Sequence, residues 1–308
     1  MKNIVTGGAG FIGSHLIDKL MKSGQEVICI DNLISGDKKN IEKWIDNPRF
    51  EFIDHDITEP IDIKTNKIWH FACPASTKKY QNDPISTANI NFSGTLNMLR
   101  LANRQNAKIL FASTSEIYGE SSHEQKETDY GSPNPIGIRS CYAEGKRIAE
   151  TLCMDFFRCH NTEIKIARIF NTYGPRMKSD DGRLISNFIT QAISKKPLTI
   201  FGSGKQKRSF CYISDLIEGL ERLMQSNYNL PVNFGNPNEN YSILQIAELI
   251  NKKLNLNKEM KFSALPIDDP INRKPSIKLA KKLFNWEPHT NISIGLDLTI
   301  NHFKKRKR

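Results

Sequence analysis

The amino-acid sequence predicts an α/β protein, a doubly wound parallel Rossmann sheet with a smaller C-terminal α/β lobe for the substrate. Two observations favour this fold class. A short strand, a glycine-rich turn and a helix open the chain, and strands then alternate with helices over more than half of its length. Such alternation is typical of a parallel sheet covered by helices on both faces. With 308 residues the chain exceeds the usual domain size, so it can bury a large core and divide into two lobes.

The elements of the sheet follow in order from the apolar pattern. A β-branched run at residues 3–6 precedes the glycines, and apolar residues at helical spacing predict a helix over residues 11–21. Further strands are predicted at residues 26–30, 49–53, 67–71, 108–113 and 163–168, and long helices at about 84–104 and 141–160.

The character of the sequence changes after Tyr173. Shorter helices, predicted at residues 184–194, 214–225 and 243–253, are mixed with brief strands and several prolines. This pattern suits a lobe that closes over the carboxyl edge of the sheet. We therefore predict a nucleotide-binding Rossmann domain at 1–173. Residues 174–308 would form mainly the substrate lobe and return some segments to the Rossmann domain.

Composition excludes several classes of protein. The chain is 38% hydrophobic and 25% charged, as in ordinary globular proteins. No apolar run approaches the ~20 residues of a membrane helix, and the N-terminus enters the first strand directly instead of a signal peptide. The six cysteines include no CxxC pair. We predict a cytoplasmic protein with reduced cysteines, no metal site and no membrane partner.

The net charge of +11 has a local source. Residues 304–308 are all Lys or Arg, and no aromatic residues alternate with them. We interpret this tail as a solvated terminus and predict no nucleic-acid partner, with a tail that binds nucleic acid or acidic lipid as the alternative. The remaining positive excess suits an anionic ligand.

The glycine-rich turn predicts a dinucleotide site. Gly7, Gly10 and Gly13 stand between a strand and a helix, where missing side chains allow a tight turn and close approach of a pyrophosphate. Asp31 lies 18 residues past Gly13, at the end of the second strand. Its carboxylate can accept hydrogen bonds from ribose hydroxyls and would repel the 2′-phosphate of NADP, so the predicted cofactor is NAD. The alternative is a purely structural turn with Asp31 as a helix cap.

The predicted cofactor-binding set extends beyond the turn. Asp56 and Ile57 follow the third strand and are candidates to meet the adenine, although Asp56 also suits a plain turn. The complete set is Gly7, Gly10, Phe11, Ile12, Gly13, Asp31, Asn32, Asp56, Ile57, Tyr142 and Lys146.

Tyr142 and Lys146 form the candidate catalytic pair, because four residues apart on a predicted helix they share one face. A phenol is a poor base at neutral pH, but a nearby ammonium and a cationic nicotinamide ring would favour the phenolate, which could take a hydroxyl proton while hydride leaves the same carbon. The fifth predicted strand ends in Thr114, Ser115 and Glu116, at the edge where ligands bind. Separately, these patterns also suit a surface helix and a helix-capping carboxylate. Their combination with the glycine turn favours catalysis.

These motifs belong to a longer series, which includes TGGAGFIGSHL, ACPAS, STSEIYG, NPIGIRSCYAEGKR, ARIFNTYGPRM, FGSGKQKRSF, RKPSI and WEP. Over nearly its whole length the sequence resembles the extended short-chain dehydrogenase/reductase superfamily and, within it, the UDP-glucuronate decarboxylase family. The resemblance implies Tyr142 as the base with Lys146 supporting it, and Thr114, Ser115 and Glu116 around the reacting sugar. It also implies a UDP-sugar side that consists of Tyr80, Asn171, Asn187, Arg208 and Arg273.

The implied reaction follows from the chemistry of the sugar. Oxidation of the C4 hydroxyl of UDP-glucuronate gives a ketone β to the carboxylate, and such an acid loses carbon dioxide readily because the electrons pass into an enolate. Protonation at C5 and return of the hydride to C4 then give UDP-xylose with NAD regenerated. We hypothesise that Glu116 or Arg273 assists the protonation. Arg273 would also bind the carboxylate through its fork of donors, with a surface ion pair as the alternative for Arg208 and Arg273.

Three rival functions remain at this point. A nucleotide-sugar 4,6-dehydratase would need an Asp where Ser115 stands, and a 4-epimerase usually lacks a Glu at position 116. An NAD-binding protein without turnover is the rival from another class. The residues Lys78, Lys79 and Gln81 depart from the family pattern, which leaves the sugar open. The resemblance also implies a homodimer through the helices near 84–104 and 141–160.

Overall fold

The computed structural model describes residues 1–180, 182–268 and 272–306. Within these ranges the strands are β1 (Lys2–Thr6), β2 (Glu26–Ile30), β3 (Phe50–Ile53), β4 (Lys67–His70), β5 (Lys108–Thr114), β6 (Ile164–Ile169), β7 (Thr172–Tyr173), β8 (Leu198–Phe201), β9 (Lys207–Ser209), β10 (Cys211–Tyr212), β11 (Pro231–Phe234), β12 (Asn240–Ser242), β13 (Met260–Ser263) and β14 (Asn272–Arg273).

The α-helices in the same ranges are α1 (Phe11–Lys22), α2 (Thr77–Asn82), α3 (Pro84–Asn89), α4 (Thr95–Gln105), α5 (Ser140–His160), α6 (Leu184–Ile193), α7 (Ile213–Gln225), α8 (Ile243–Lys253), α9 (Lys278–Phe284) and α10 (Ile292–Arg306). Short 3-10 turns occur as well, and one of them, Ser115–Tyr118, follows β5 directly.

The main sheet has the strand order β3-β2-β1-β4-β5-β6-β11, and every neighbouring pair is parallel. Aliphatic residues fill its inner strands: Ile4 and Val5 of β1, for example, are fully buried. Burial on both faces is what parallel sheets require, because helices cover both. The predicted doubly wound α/β fold is confirmed.

Helices cover this sheet on two sides. α1 and α7 pack together on one face, whereas α4 and α5 pack together on the other, beside β4, β5 and β6. The long helix predicted at residues 84–104 is α3 and α4 joined by a π-helical turn, Ile90–Gly94. Gly94 there lies against Ile57, so closely that an added Cβ would come within 2.5 Å of the Ile57 Cδ1 atom.

After β3 the chain crosses to the other side of β1, where β4 joins the sheet. From β1 the sheet grows through β2 and β3 to one side, and through β4 and β5 to the other. This switch point leaves a crevice at the carboxyl ends of the strands, where open α/β sheets bind their ligands. Thr6, the last residue of β1, pairs with Ile30 and His70 at that edge.

Smaller sheets make up the C-terminal lobe. They have the orders β12-β9-β14, β13-β8 and β10-β7. In the first of them β14 runs parallel to β9 with Arg273 paired to Arg208, which brings the two arginines side by side. β11, although it follows residue 173, lies in the main sheet beside β6. The division of the chain at residue 173 stays a prediction.

The described part of the chain contains no helix long and apolar enough to cross a membrane. Near the end of α10, Arg306 forms an ion pair with Asp37, in the segment that follows β2. The last two residues of the basic tail, Lys307 and Arg308, lie outside the described residues.

Candidate active site

A cavity of about 790 Å³ lies at the carboxyl edge of the main sheet. The glycine turn, Asp31 and Asp56 contribute to its lining from the sheet, and Arg208 and Arg273 contribute from the C-terminal lobe. Apart from Tyr80, every residue that the sequence predicts for the site is part of this lining. The structure therefore brings together residues that are up to 266 positions apart, from Gly7 to Arg273.

The glycine turn connects β1 to α1 with no room for side chains. Gly7 has φ +67° and donates a hydrogen bond to the Ile30 carbonyl oxygen at 2.8 Å. A Cβ on Gly13 would lie 2.4 Å from the Gly7 carbonyl oxygen. α1 then begins at Phe11 with no acidic residue in its first turn. The unpaired N–H groups and positive dipole end of a helix start suit an anion, so this turn fits the pyrophosphate of a dinucleotide.

Asp31 directly follows β2, lies in the cavity wall and is 7% exposed. Its carboxylate accepts hydrogen bonds from the backbone N–H groups of Ala9, at 3.0 Å, and Leu33, at 2.9 Å. Burial raises the pKa of Asp31, while the two backbone hydrogen bonds lower it. The carboxylate thus has a fixed orientation at the place predicted for the adenosine ribose.

Asp56 shows the turn geometry that the sequence left as an alternative. Its Oδ1 accepts from the Thr58 backbone N–H at 2.9 Å, and its Oδ2 accepts from the Asn32 side chain at 3.1 Å. Asp56, Asn32 and the buried Ile57 all line the cavity, so the turn and the predicted adenine contact are compatible.

Tyr142 and Lys146 lie on one face of α5, both buried. The Lys146 Nζ donates to the Ala112 carbonyl oxygen at 2.9 Å and lies 5.8 Å from the centroid of the Tyr142 ring. Burial raises the pKa of Tyr142 far above its ordinary value; Cys73 and Glu116 raise it further, and a hydrogen bond with Thr114 lowers it. The Lys146 ammonium is directed to a backbone carbonyl here, and its predicted support of the phenolate beside a cationic nicotinamide ring stays a prediction. Without a bound ligand, Tyr142 is a neutral phenol.

Glu116 is the centre of a buried charge cluster. It contacts Arg139 twice, with Nη2 to Oε1 at 2.7 Å and Nε to Oε2 at 3.3 Å. Arg273 Nη1 lies 3.5 Å from the same Oε1. Burial by itself raises the pKa of Glu116, but Arg273 and Arg139 hold it below its ordinary value. Glu116 is therefore a carboxylate and not a proton donor in this arrangement.

Several polar groups of the cavity wall have unused hydrogen-bonding capacity. Among the described residues, the Arg273 Nε and Nη2 atoms and the Asn171 Nδ2 atom are buried with no hydrogen-bond partner. Such donors cost free energy unless a ligand meets them. Arg208 is buried in the cavity wall and donates to the Lys207 carbonyl oxygen among its contacts, while Asn187 on α6 is half-buried. All four residues fit a site for an anionic, oxygen-rich ligand.

Tyr80 lies behind the cavity wall. Its side chain is fully buried and does not belong to the cavity lining. It stacks on Tyr142, and its hydroxyl lies 3.4 Å from the Glu116 Oε2 atom. Tyr80 therefore contacts two predicted catalytic residues, and its contact with the sugar stays a prediction. Its neighbours Lys78, Lys79 and Gln81, which depart from the family pattern, do line the cavity.

Arg139 is the functional candidate that the sequence reasoning missed. It immediately precedes α5, so Arg139, Tyr142 and Lys146 are spaced by three and four residues and share a helix face. That spacing was a usable signal in the stretch NPIGIRSCYAEGKR. Its partner, Glu116, lies 23 positions away on another element, and no local pattern indicates that pairing.

The fold and the cavity residues are those of an NAD-dependent enzyme class, which the sequence also matches. Residues 3–242 match the NAD dependent epimerase/dehydratase family, and the chain belongs to that family. Membership confirms NAD as the cofactor, in agreement with the prediction from Asp31 and the glycine turn.

Within this class, the similar proteins carry the name that the motifs suggested. UDP-glucuronic acid decarboxylase 3 of Arabidopsis thaliana is 51% identical over 308 residues, which is 99% of this chain and 90% of that protein. UDP-glucuronic acid decarboxylase 1 of Xenopus tropicalis is 50% identical over 303 residues, 98% of this chain and 72% of that protein. The family resemblance drawn from the sequence is confirmed.

A solved structure of a nucleotide-sugar enzyme shares the fold of this chain. The UDP-glucuronic acid 4-epimerase of Bacillus cereus, in complex with UDP-glucuronic acid and NAD, superposes with a TM-score of 0.88. It is 30% identical, and the match covers 99% of this chain and 100% of the other.

Proposed function

We propose that this protein decarboxylates UDP-glucuronate to UDP-xylose, with NAD recycled in each turnover. The observation that carries the proposal is Arg273, a 6% exposed guanidinium in the cavity wall whose Nε and Nη2 atoms lack partners among the described residues. A guanidinium makes paired hydrogen bonds with a carboxylate, and a uronate is the sugar that has one. Similarity to decarboxylases at about half identity over the whole chain supports the same substrate.

The residues around Arg273 suit the remaining steps. Thr114 lowers the pKa of Tyr142, and both residues line the cavity, so both hydroxyls can meet the sugar hydroxyl that is oxidised. The positive charge of bound NAD, together with the Lys146 ammonium, would favour the Tyr142 phenolate, which would take the proton of that hydroxyl and give it back at the end of the turnover. Ser115 is 3% exposed and lies in the lining beside them, where it can hold the sugar in place.

NAD, when bound, supplies the chemistry of accepting a hydride from C4 and returning it. The chain would hold the pyrophosphate on the turn around Gly7, Gly10 and Gly13, and the ribose hydroxyls on Asp31. Phe11 and Ile12, at the start of α1, complete this wall of the cavity. Lys146 would hydrogen-bond the nicotinamide ribose, for which its ammonium has donors besides the one that meets the Ala112 carbonyl oxygen.

Release of carbon dioxide itself needs no proton donor. A donor is needed only in the next step, when the enolate is protonated at C5. Because Glu116 is ionised, a water molecule held by the Arg273 guanidinium is better suited to deliver that proton than Glu116 itself, and the hydroxide left behind would be neutralised by solvent. Arg208 and Asn187 are proposed to bind the UDP portion, and Asn171 to donate its unpartnered N–H to the sugar or the diphosphate.

The direct test is to incubate the purified protein with UDP-glucuronate and to quantify carbon dioxide and nucleotide sugars by NMR. We expect carbon dioxide and UDP-xylose in equal amounts, with no added NADH. Formation of UDP-galacturonate without carbon dioxide would indicate a 4-epimerase instead. If NAD-loaded protein turns over no nucleotide sugar, the rival function, an NAD-binding protein without turnover, would be favoured.

We also propose a homodimer and a cytoplasmic location. Ile85 on α3, Phe92 on the π-helical turn and Ile148 on α5 are 84%, 43% and 40% exposed, and they supply an apolar surface for a partner helix pair. The six cysteines are all free, which suits a reducing compartment. Sedimentation of the protein and of an Ile148→Glu variant tests the dimer: we expect a dimer that the substitution weakens.

A further inference from the structure

Arg139 and Glu116 form a buried ion pair that the proposed chemistry does not yet use. Their side chains are 10% and 12% exposed, and two nitrogens of Arg139 contact both oxygens of Glu116. Planar guanidinium groups make such two-point contacts especially well. Glu116 therefore has its principal partner before any substrate binds.

Arg273 contacts the same carboxylate in a less direct geometry. Its contact with Glu116 is 3.5 Å long, beyond the usual length of a charged hydrogen bond, although its charge lowers the pKa of Glu116 as that of Arg139 does. Arg139 occupies both carboxylate oxygens, while the Arg273 Nε and Nη2 atoms have no partner in the described ranges.

The three side chains of the cluster, Arg139, Glu116 and Arg273, are nearly buried. Buried donors without a partner cost free energy, and the Arg273 Nε and Nη2 atoms are such donors among the described residues. A ligand carboxylate could accept from both atoms, whereas a neutral hexose has no charged acceptor to offer them.

We infer that Arg139 is a positioning residue, which binds the Glu116 carboxylate and thereby leaves the Arg273 guanidinium available for the carboxylate of a uronate. This inference deepens the proposed function and rests on it. It makes Arg139 a determinant of the preference for UDP-glucuronate over UDP-glucose, although Arg139 itself need not touch the sugar.

The titration of Glu116 follows from the same contacts. The titratable and charged side chains that influence or contact it are Arg139, Tyr142 and Cys141 from α5 and its start, Tyr80 from α2 and Arg273 from β14. Loss of Arg139 removes one of the two cations that hold the pKa of Glu116 down, so the ionised form would require a higher pH.

The test compares NAD-loaded wild type with Arg139→Gln, Arg139→Lys and, as a matched control, Arg104→Gln. Arg104 is half-exposed on α4 and its ion pair with Asp62 lies at the surface. For each protein we would measure the Kd of UDP-glucuronate and of UDP-glucose by calorimetry, and the dependence of kcat/KM on pH. Circular dichroism and NAD content verify folding.

In wild type we expect UDP-glucuronate to bind more tightly than UDP-glucose. In Arg139→Gln the ratio of the Kd of UDP-glucose to the Kd of UDP-glucuronate should fall by about 10-fold or more, as is usual for a lost charged hydrogen bond. The acidic limb of the pH profile should move to higher pH. Arg139→Lys retains the charge without the two-point geometry, so it should restore the acidic limb but only part of the discrimination. Arg104→Gln should match wild type.

The inference would be overturned if a folded Arg139→Gln variant discriminated between UDP-glucuronate and UDP-glucose as wild type does, with the acidic limb of its kcat/KM profile at the same pH. If Arg139→Gln does not fold, wild-type discrimination in Arg139→Lys would overturn it in the same way. Failure of wild type to release carbon dioxide would instead contradict the proposed function, and the two Kd values would still test the role of Arg139.

Discussion

The rings of Tyr80 and Tyr142 lie parallel, with an interplanar angle of 1° and their centroids 4.9 Å apart. Tyr80 comes from α2 and Tyr142 from α5, so the stack joins a short helix of the cavity wall to the helix that carries the catalytic pair. Because Tyr80 also reaches Glu116, one fully buried side chain positions two members of the site.

Two substitutions separate the functions of this stack. Tyr80→Phe keeps the ring and removes the hydroxyl near Glu116, so we expect a folded protein with a melting temperature near that of wild type and a reduced kcat. Tyr80→Ala removes the ring that supports Tyr142, and truncation of a buried aromatic residue typically costs about 3–5 kcal/mol of stability. Thermal melts and product assays on both variants check this. Equal losses of kcat with equal melting temperatures would contradict the separation.

The close packing of the glycine turn should make it intolerant of a methyl group at Gly13. In Gly13→Ala the new Cβ would approach the Gly7 carbonyl oxygen to 2.4 Å and the Gly8 Cα atom to 2.8 Å, and neither backbone atom can rotate away. We expect loss of NAD from the purified protein and a stability cost of about 1–3 kcal/mol, as for overpacked cores. The NAD content and the melting temperature are the measurements. Lys22→Ala, an exposed change in the same helix, is the control and should retain NAD.

Acid should destabilise the fold through a buried histidine. His70 is 2% exposed and bonded to the hydroxyls of Thr6, at 2.7 Å, and Thr95, at 3.2 Å. Burial, with a smaller effect of the Lys146 charge, lowers the pKa of His70 to about 3. The unfolded chain would bind a proton at this histidine near pH 6.5 and the folded chain would not, so stability falls as the pH drops from about 6.5 towards 3.

A variant isolates this contribution. His70→Asn removes the titrating group, so the fall in melting temperature between pH 7 and pH 5 should be smaller than in wild type. Comparison of the two slopes cancels the contribution of His15, whose pKa burial lowers to about 4 with the same sign. Identical slopes in a folded variant would show that His70 does not titrate as the structure indicates.

The sequence predicted the regular parts of the fold closely because each depends on a local pattern. The strand at residues 26–30 and the helix at residues 243–253 have the observed bounds, and both are apolar repeats bounded by turn or capping residues. The π-helical turn at Ile90–Gly94 was not foreseen. It interrupts α3 and α4 without any proline, and the contact of Gly94 with Ile57 connects segments far apart in the chain.

The site residues also fall into those that local spacing predicts and those that depend on long-range packing. Asp31, Tyr142 and Lys146 could be found from spacing, since each stands at a fixed distance from a strand end or from a partner on one helix. The pairing of Arg139 with Glu116 spans 23 positions and depends on where α5 begins, and the pairing of Arg273 with Glu116 spans 157 positions and requires β14 to lie near the sheet edge. The place of Tyr80 behind Tyr142 depends likewise on the packing of α2 against α5.

The fate of the hydrogen at C4 tests the central claim, that the sugar is oxidised and reduced again within one turnover. UDP-glucuronate with deuterium at C4 would be converted by the NAD-loaded protein in ordinary water, with Tyr142→Phe as the inactive control, and the UDP-xylose examined by NMR. The account predicts deuterium retained at C4, a solvent proton at C5 and one carbon dioxide per UDP-xylose. UDP-xylose with ordinary hydrogen at C4, or carbon dioxide release with deuterium lost to solvent, would contradict it.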